Sequence, residues 1–260
     1  MTPTPPRPPY ALVRPPATSL ADGIVTFVER QPLDLELAGR QWRSYVNLLA
    51  QNGFPPIEVA RDDALPDSVF IEDAIVMFGD LAVVTNPRQP ARNPEIVAVE
   101  KAVRELGMEV AHIMSPATLD GGDVLKVGSQ VYVGRTGSTN ADGVAQLAAL
   151  VEPRGYTVIG VPVTKALHLK SAVTALPDGT VIGYGPVVDD PSVFPQFLEV
   201  AEESGAHVVV LDEQSVLMSS AAPETATLLR ERGLRVEAVD ISEYEKLEGC
   251  VTCLSVRVRP

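Results

Sequence analysis

The chain has 260 residues, 45% of them hydrophobic, with 19 Gly and 23 Pro, enough for one large globular domain or two small ones with a sizeable core. A formal net charge of −13 sets it against a phosphate backbone or an anionic membrane surface, so neither nucleic acid nor membrane is expected as a partner. The same charge favours cationic small molecules, or serves solubility alone.

In chain order, residues 1–9 are so rich in Pro that neither a helix nor a central strand can form, because most of them lack a donor N–H or precede Pro. A disordered tail over 1–9 and a single domain over 10–260 are expected. Leu35, Ala38, Trp42, Tyr45, Val46 and Leu49 then share one helical face, with Asn52 and Gly53 as a left-handed stop. A short strand over 56–60 follows. Asn93 reads as the cap of a second helix, opened by Pro94 and closed by Gly107, with a strand over 108–113 behind it. A third helix starts at Asn140 and ends before Gly155. A fourth is expected over 192–205 with a strand over 207–211, and a fifth from Pro223 to Gly233 with a strand over 235–239.

Between the helices lie paired strand-like runs over 68–85, over 123–133 with a turn at Gly128 and Ser129, and over 172–183 with a turn at 177–180. The order strand, turn, strand, helix, strand recurs about five times, and glycines end the helices at 53, 107, 155, 205 and 233. This predicts one repeat architecture with a common core. An ordinary doubly wound sheet fits less well, since hairpins interrupt every helix-to-helix interval and no Gly-rich phosphate loop is present. No apolar run approaches the roughly 18 residues of a membrane span.

The two cysteines, Cys250 and Cys253, cannot build a disulfide framework, and no basic start followed by an apolar stretch marks a secretory signal, so a cytoplasmic location is expected. Residues 249–259 alternate like a strand. That would place Cys250 with Thr252, Leu254, Val256 and Val258 on the apolar face, and Cys253 with Val251, Ser255 and Arg257 on the other. The thiols would then not pair, and Cys253, beside positive charge, would be the reactive one. Two ordinary buried thiols are the plainer reading. His112 and His207 sit inside strand-like runs, as satisfied core or surface imidazoles do. His168, just before a hairpin, is the candidate partner for a thiol.

Two acidic clusters interrupt apolar stretches. Glu72 and Asp73 fall in a run over 66–78 that should be buried, and burying unpaired carboxylates costs several kcal/mol. A guanidinium ligand, with planar donors, would be a natural partner. Asp120 and Asp123 bracket Gly121 and Gly122, which either let backbone or ligand approach closely or form a solvated, Asx-capped turn.

Six segments, P-D-S-V-F-I-E-D from Pro66, T-N-P-R-Q-P-A-R from Thr85, L-D-G-G-D-V-L from Leu119, V-G-R-T-G-S-T-N from Val133, L-H-L-K-S from Leu167 and T-C-L-S-V from Thr252, resemble the dimethylarginine dimethylaminohydrolase family, in family order across roughly residues 10 to 258. The resemblance implies an α/β fold, the five-bladed propeller shared with arginine deiminases and amidinotransferases. It also implies hydrolysis of N-omega-methylated arginine to citrulline and dimethylamine or methylamine, without metal or organic cofactor. Carried over, the nucleophile falls on Cys253, the general acid/base on His168 and the catalytic acidic residue on Asp120. Substrate contacts fall on Asp67, Glu72, Asp73 and Arg92, with pocket walls at a flap over 21–25, including Val25, and at the backbone around Leu247. Either a monomer or a homodimer is compatible with it.

One position departs from the family pattern. Where relatives usually carry an Arg that holds the substrate carboxylate, this chain has Ser138, and a hydroxyl cannot replace a charge-assisted fork unless Arg135 or Arg92 compensates. Rival readings are a sister deiminase acting on arginine or agmatine and releasing ammonia, a thiol redox pair at Cys250 and Cys253 that would form an internal disulfide, and a guanidine-binding propeller without turnover. One Cys pair and scattered His do not build a closed zinc site.

Overall fold

Local hairpins and helical crossovers assemble the strands into five three-stranded sheets in the computed structural model, which describes residues 8–259. Most of the tail expected over 1–9 therefore lies outside the described residues. Four sheets follow one rule: a hairpin sets the first strand antiparallel to the second, and a crossover returns the third parallel to the second. They comprise Ile75–Phe78, Leu81–Val84 and Glu109–His112; Val124–Val127, Gln130–Arg135 and Thr157–Pro162; Val173–Ala175, Val181–Tyr184 and Phe197–Val200; and Val208–Asp212, Ser215–Ser219 and Arg235–Val239. The remaining sheet draws on both ends of the chain. Tyr10–Val13 is its middle strand, parallel to Pro56–Glu58 and antiparallel to Val256–Val258. Strand order is thus the same in all five, and the molecule is a five-bladed α/β propeller whose ring is closed by that composite blade.

The crossover helices follow their sequence signals. Leu35–Gln51 is capped by the Asp34 side chain, which accepts from Leu37 N at 2.9 Å, and Ala141–Val151 by Asn140, which accepts from Gly143 N at 2.8 Å. Gly53 (φ 87°) supplies the left-handed stop that its position predicts. The second helix is Glu95–Glu105, and Asn93 ends a preceding short turn, Pro90–Arg92, instead of capping the helix with its side chain. Among the described residues no helix is long and apolar enough to cross a membrane.

The expected fourth helix does not form. Residues 192–205 hold the strand Phe197–Val200 between two short 3-10 turns, Pro191–Val193 and Glu203–Ala206. Pro195 inside the segment has no N–H to give and its ring clashes with a preceding helical turn, while Phe197 to Val200 gain a parallel partner in Val181–Tyr184. Gly205 is accordingly not a left-handed stop. Its missing side chain admits Thr225, whose Oγ1 would lie 2.2 Å from an added Cβ.

Residues 249–259 also depart from expectation, because only Val256–Val258 is strand. The stretch before it is coiled into turns, with Cys253 N donating to Cys250 O at 3.1 Å. Distant partners hold it so: the Tyr45 hydroxyl donates to Val251 O at 2.6 Å, Thr252 Oγ1 to Glu72 at 2.8 Å, and Glu72 N to Cys253 O at 3.3 Å. Facial alternation is lost, and with it the separation of the two thiols.

Among the described residues the expected common core is replaced by several clusters. Apolar side chains gather in five clusters between elements of neighbouring blades, such as Trp42, Tyr45 and Leu49 of the first helix against Val209 and Leu217, or Leu147 and Val151 against Val83 and Val131. Where the fourth blade lacks a helix, Phe194 packs edge-on to Tyr132 at 5.0 Å between ring centroids and fills the gap.

Candidate active site

Asp73, Asp120, His168 and Cys253 occupy the same station in four different blades. A short turn precedes the first strand of every blade: Ile71–Ala74 carries Glu72 and Asp73, Gly121–Asp123 follows Asp120, Leu169–Ser171 follows His168, and the turn at 250–254 carries Cys253. Repetition of the blade brings residues far apart in sequence to one end of the ring. Gly121 and Gly122 permit the closest approach, since a Cβ on Gly122 would lie 2.6 Å from both Asp73 Oδ1 and His168 Nδ1, and one on Gly121 2.0 Å from Glu72 O. The close-approach reading of that pair holds, and the solvated turn does not: Gly121, Gly122 and Asp123 are buried.

His168 Nε2 lies 3.1 Å from Asp120 Oδ2, and Nδ1 lies 3.7 Å from Asp73 Oδ1. Asp73 also accepts from Gly122 N at 3.0 Å and from Arg92 at 2.8 Å. The rest of Arg92 is held by Glu95, at 3.0 and 2.9 Å. Burial pulls the His168 imidazole down, but Asp73, the hydrogen bond with Asp120, and Asp123 together outweigh it and raise it to about 10, so it is charged at neutral pH. For Asp73, burial opposes ionisation, yet His168 and Arg92 hold its carboxyl below the usual range. Burial lifts Asp67 above that range, with Arg92 offsetting part of the rise.

Cys253 is 7% exposed and shares a cavity with Asp67, Asp73, Arg92, Asp120, His168, Ser138 and Leu247. Contact with Cys250, then burial, then the nearby carboxylates push its thiol well above the ordinary value. The expected neighbour Arg257 is elsewhere, donating to Thr252 O and Ser255 O. The expected separation of the thiols is reversed as well: Cys250 Sγ is 3.3 Å from Cys253 Sγ, because the turn folds both inward.

Two candidates fall outside the cavity. Glu72 and Asp73 are adjacent in a tight turn and point opposite ways, so Glu72 meets Lys170 Nζ at 2.6 Å, Thr252 Oγ1 at 2.8 Å and Arg257 at 3.7 Å behind the cysteine turn, with no oxygen left for a ligand. Val25 packs on the apolar cluster around Leu247, while its neighbours Ile24 and Thr26 face the cavity, as alternation along a non-helical segment requires. His112 pairs with Glu100 at 3.1 Å and His207 contacts Ser171 O at 2.9 Å, both satisfied as expected.

Two residues that shape the site, Asp123 and Glu248, have no role assigned from the sequence, although Asp123 belongs to one of its acidic clusters. Asp123 accepts from Leu169 N at 2.9 Å and from Thr136 and Thr139 hydroxyls at 2.7 and 2.6 Å, which fixes the turn bearing His168. The Asp-Gly-Gly-Asp symmetry was its only signal. Glu248, at φ 61°, accepts from Thr26 N at 2.8 Å, Val28 N at 3.0 Å and also Phe27 N, clasping the flap over the cavity, and no local pattern announces it. Losing even one such charge-assisted bond, on the order of 1.4 kcal/mol, is worth a factor of about ten. Glu248→Ala is therefore expected to speed amide hydrogen exchange at residues 26–28 by about tenfold or more, leaving exchange in the blade strands unchanged.

No protein-family model matches the chain. It is 57% identical over 249 residues, 96% of this chain and 96% of the relative, to the N(G),N(G)-dimethylarginine dimethylaminohydrolase of Streptomyces coelicolor. The chain belongs to the dimethylarginine dimethylaminohydrolase family. A cysteine-to-serine mutant of the Pseudomonas aeruginosa enzyme, solved in complex with citrulline, superposes with a TM-score of 0.89 at 31% identity, covering 95% of this chain and 98% of that one. A dimethylarginine dimethylaminohydrolase solved as an adduct with S-methyl-L-thiocitrulline gives a TM-score of 0.90 at 30% identity, over 96% and 100% of the two chains. The five-bladed α/β propeller is thus the dimethylarginine dimethylaminohydrolase fold.

Proposed function

We propose that this chain hydrolyses N-omega-methylated arginine, asymmetric dimethylarginine or monomethylarginine, to citrulline and dimethylamine or methylamine through a covalent thiouronium on Cys253. One observation carries the reading: Asp120 Oδ1 is buried and has no hydrogen-bond partner among the described residues, in the cavity that Cys253 and His168 line. A buried carboxylate oxygen left unpaired is costly, and a guanidinium N–H satisfies it. Family membership supports the same chemistry.

The guanidinium lies against Asp120 and Asp73 with its central carbon facing Cys253. Its charge favours ionisation of the thiol, offsetting the Cys250 contact, the burial and the acidic surroundings that hold the proton on sulfur. Sulfur attacks the carbon. His168, protonated because Asp73 and Asp120 flank it, gives its proton to the departing amine and leaves the thiouronium. The bound cation competes for the same two carboxylates, so substrate binding lowers the proton affinity of His168 toward the range a base needs. Neutral His168 then takes a proton from water, the hydroxide attacks the thiouronium carbon, and sulfur leaves as citrulline forms. The site spans blades built from both ends of the chain, so residues 10–260 act as one catalytic domain. Both cysteines are free, which suits a reducing compartment such as the cytoplasm.

The missing cation at Ser138 has a replacement other than the two expected. The Arg135 side chain runs along Gly160, outside the cavity, and Arg92 is largely committed to Asp73 and Glu95. Arg88 instead donates to Gly137 O at 2.7 Å, which holds its exposed guanidinium at the residue before Ser138, and Ser138 lines the cavity. A charge-assisted contact of about 1.5–3 kcal/mol corresponds to roughly 10- to 100-fold in affinity. Arg88→Ala is expected to raise KM by that factor for substrates with an α-carboxylate, with kcat nearly unchanged and no effect on methylguanidines lacking the carboxylate. Equal losses on both substrate types would remove Arg88 from this role.

Incubating the protein with a panel of methylated guanidines and identifying the released amine tests the whole reading. Dimethylamine or methylamine supports it. Ammonia from arginine or agmatine would favour a deiminase, and tight binding without release would leave a guanidine-binding propeller.

A further inference from the structure

Cys250 takes no part in the reaction above, yet its sulfur lies 3.3 Å from that of Cys253, against a disulfide bond of about 2 Å. The backbone already forms the closing loop. Cys253 N donates to Cys250 O at 3.1 Å, and Cys250 N reaches Cys253 Sγ at 3.5 Å. The entry to this turn is fixed by Gly249, where an added Cβ would lie 2.3 Å from the Phe70 ring, so the two sulfurs are held together by packing on both sides. Cys253 opens onto the cavity, whereas Cys250, 4% exposed, lies behind it. The chain has no other cysteine, so each sulfur has a single internal partner.

We infer that Cys250 is the resolving thiol of a reversible modification at the active site, in which a hydroperoxide oxidises Cys253 and Cys250 captures it as an internal disulfide. The contact with Cys253 above all holds the Cys250 thiol low, at about 5, so Cys250 takes the Cys253 proton across the 3.3 Å gap. The Cys253 thiolate attacks one peroxide oxygen, the O–O bond breaks, and the hydroxide or alkoxide released is protonated to water or alcohol. Two electrons pass from sulfur to peroxide, and Cys253 becomes a sulfenic acid. The Cys250 sulfur then attacks the Cys253 sulfur; the S–O bond breaks, hydroxide leaves with the Cys250 proton as water, and the S–S bond forms. A dithiol restores both thiols by two exchanges. Capture at this distance outruns a second oxidation to the sulfinic acid, which a dithiol cannot reverse. That activity stops in the disulfide state rests on Cys253 being the nucleophile; the disulfide itself does not.

The test treats the reduced full-length protein with hydrogen peroxide, alkylates remaining thiols, and reads intact mass, peptide maps and amine release in parallel. The expected product has lost two hydrogens, takes up no alkyl group and runs as a single chain without reductant. Its amine release falls by about a hundredfold or more and returns fully with dithiothreitol. Cys250→Ser, or Cys250→Ala if serine perturbs folding, keeps basal amine release within a few-fold, gains two oxygens under peroxide, and does not recover with dithiothreitol. Oxygen uptake by the native protein without a disulfide, a disulfide linking two chains, or full recovery of the Cys250 variants would each overturn the inference. An internal disulfide in a protein that releases no amine would support the resolving role and count against the proposed function alone.

Discussion

Cys253→Ser is expected to lower amine release by about four orders of magnitude or more while guanidine binding persists. A serine hydroxyl is not ionised near neutral pH and is a poor nucleophile toward a resonance-stabilised cation. The groups proposed to grip that cation remain, since Asp73 and Asp120 are held by Gly122, Arg92, Thr139 and His168. Steady-state amine release beside equilibrium titration of a methylarginine separates the two effects. A loss under tenfold would take the nucleophile's role away from Cys253, and a matching loss in Cys250→Ser would point to the thiol pair acting as a unit.

His168→Ala should cut turnover by roughly 10²- to 10⁴-fold, the usual scale for a lost general acid or base. On the proposed mechanism two steps need the imidazole, and among the described residues no other histidine faces the cavity. Adduct is therefore expected to accumulate and to be visible by intact mass as substrate less its amine. Turnover within tenfold of the native rate would exclude His168 from proton transfer. Stability gives an independent check. A histidine raised from 6.5 to about 10 on folding stabilises the fold through its charged form. That contribution is complete below about pH 6.5 and fades as pH climbs through about 10. The stability lead of the native protein over His168→Ala, measured by chemical denaturation, should shrink steadily across that interval. A lead that grows with pH would mean that the imidazole is held neutral.

Local signals in the sequence were sound wherever the deciding contact was also local. Asn140 caps its helix three residues away, and the turn at 177–180 closes its hairpin where expected. Sequence failed where partners lie far along the chain. Nothing near Glu72 and Asp73 says which one turns inward; Thr252, 180 residues on, decides it by bonding Glu72. The period-two pattern of 249–259 is real, but Tyr45, 206 residues from Val251, helps hold that stretch in a coil. Within 192–205 the helical pattern ignored what Pro195 does to a helix interior and what Val181–Tyr184 offers as a strand partner. The repeat itself was legible because each blade spells it again, although the fourth omits its helix. Distribution of the apolar side chains into five inter-blade clusters was not, since periodicity reports a buried face and not what covers it.

The composite blade has a bearing on biosynthesis. Tyr10–Val13 leaves the ribosome well before its neighbour Val256–Val258, so the earlier strand waits with one edge bare while every other blade is made. The sulfur at 253 emerges at the same late moment, only a few residues before the segment that locks the circle. On the proposed mechanism a nascent chain therefore holds the acidic grip and the imidazole before the attacking atom, and cleavage waits until that strand docks.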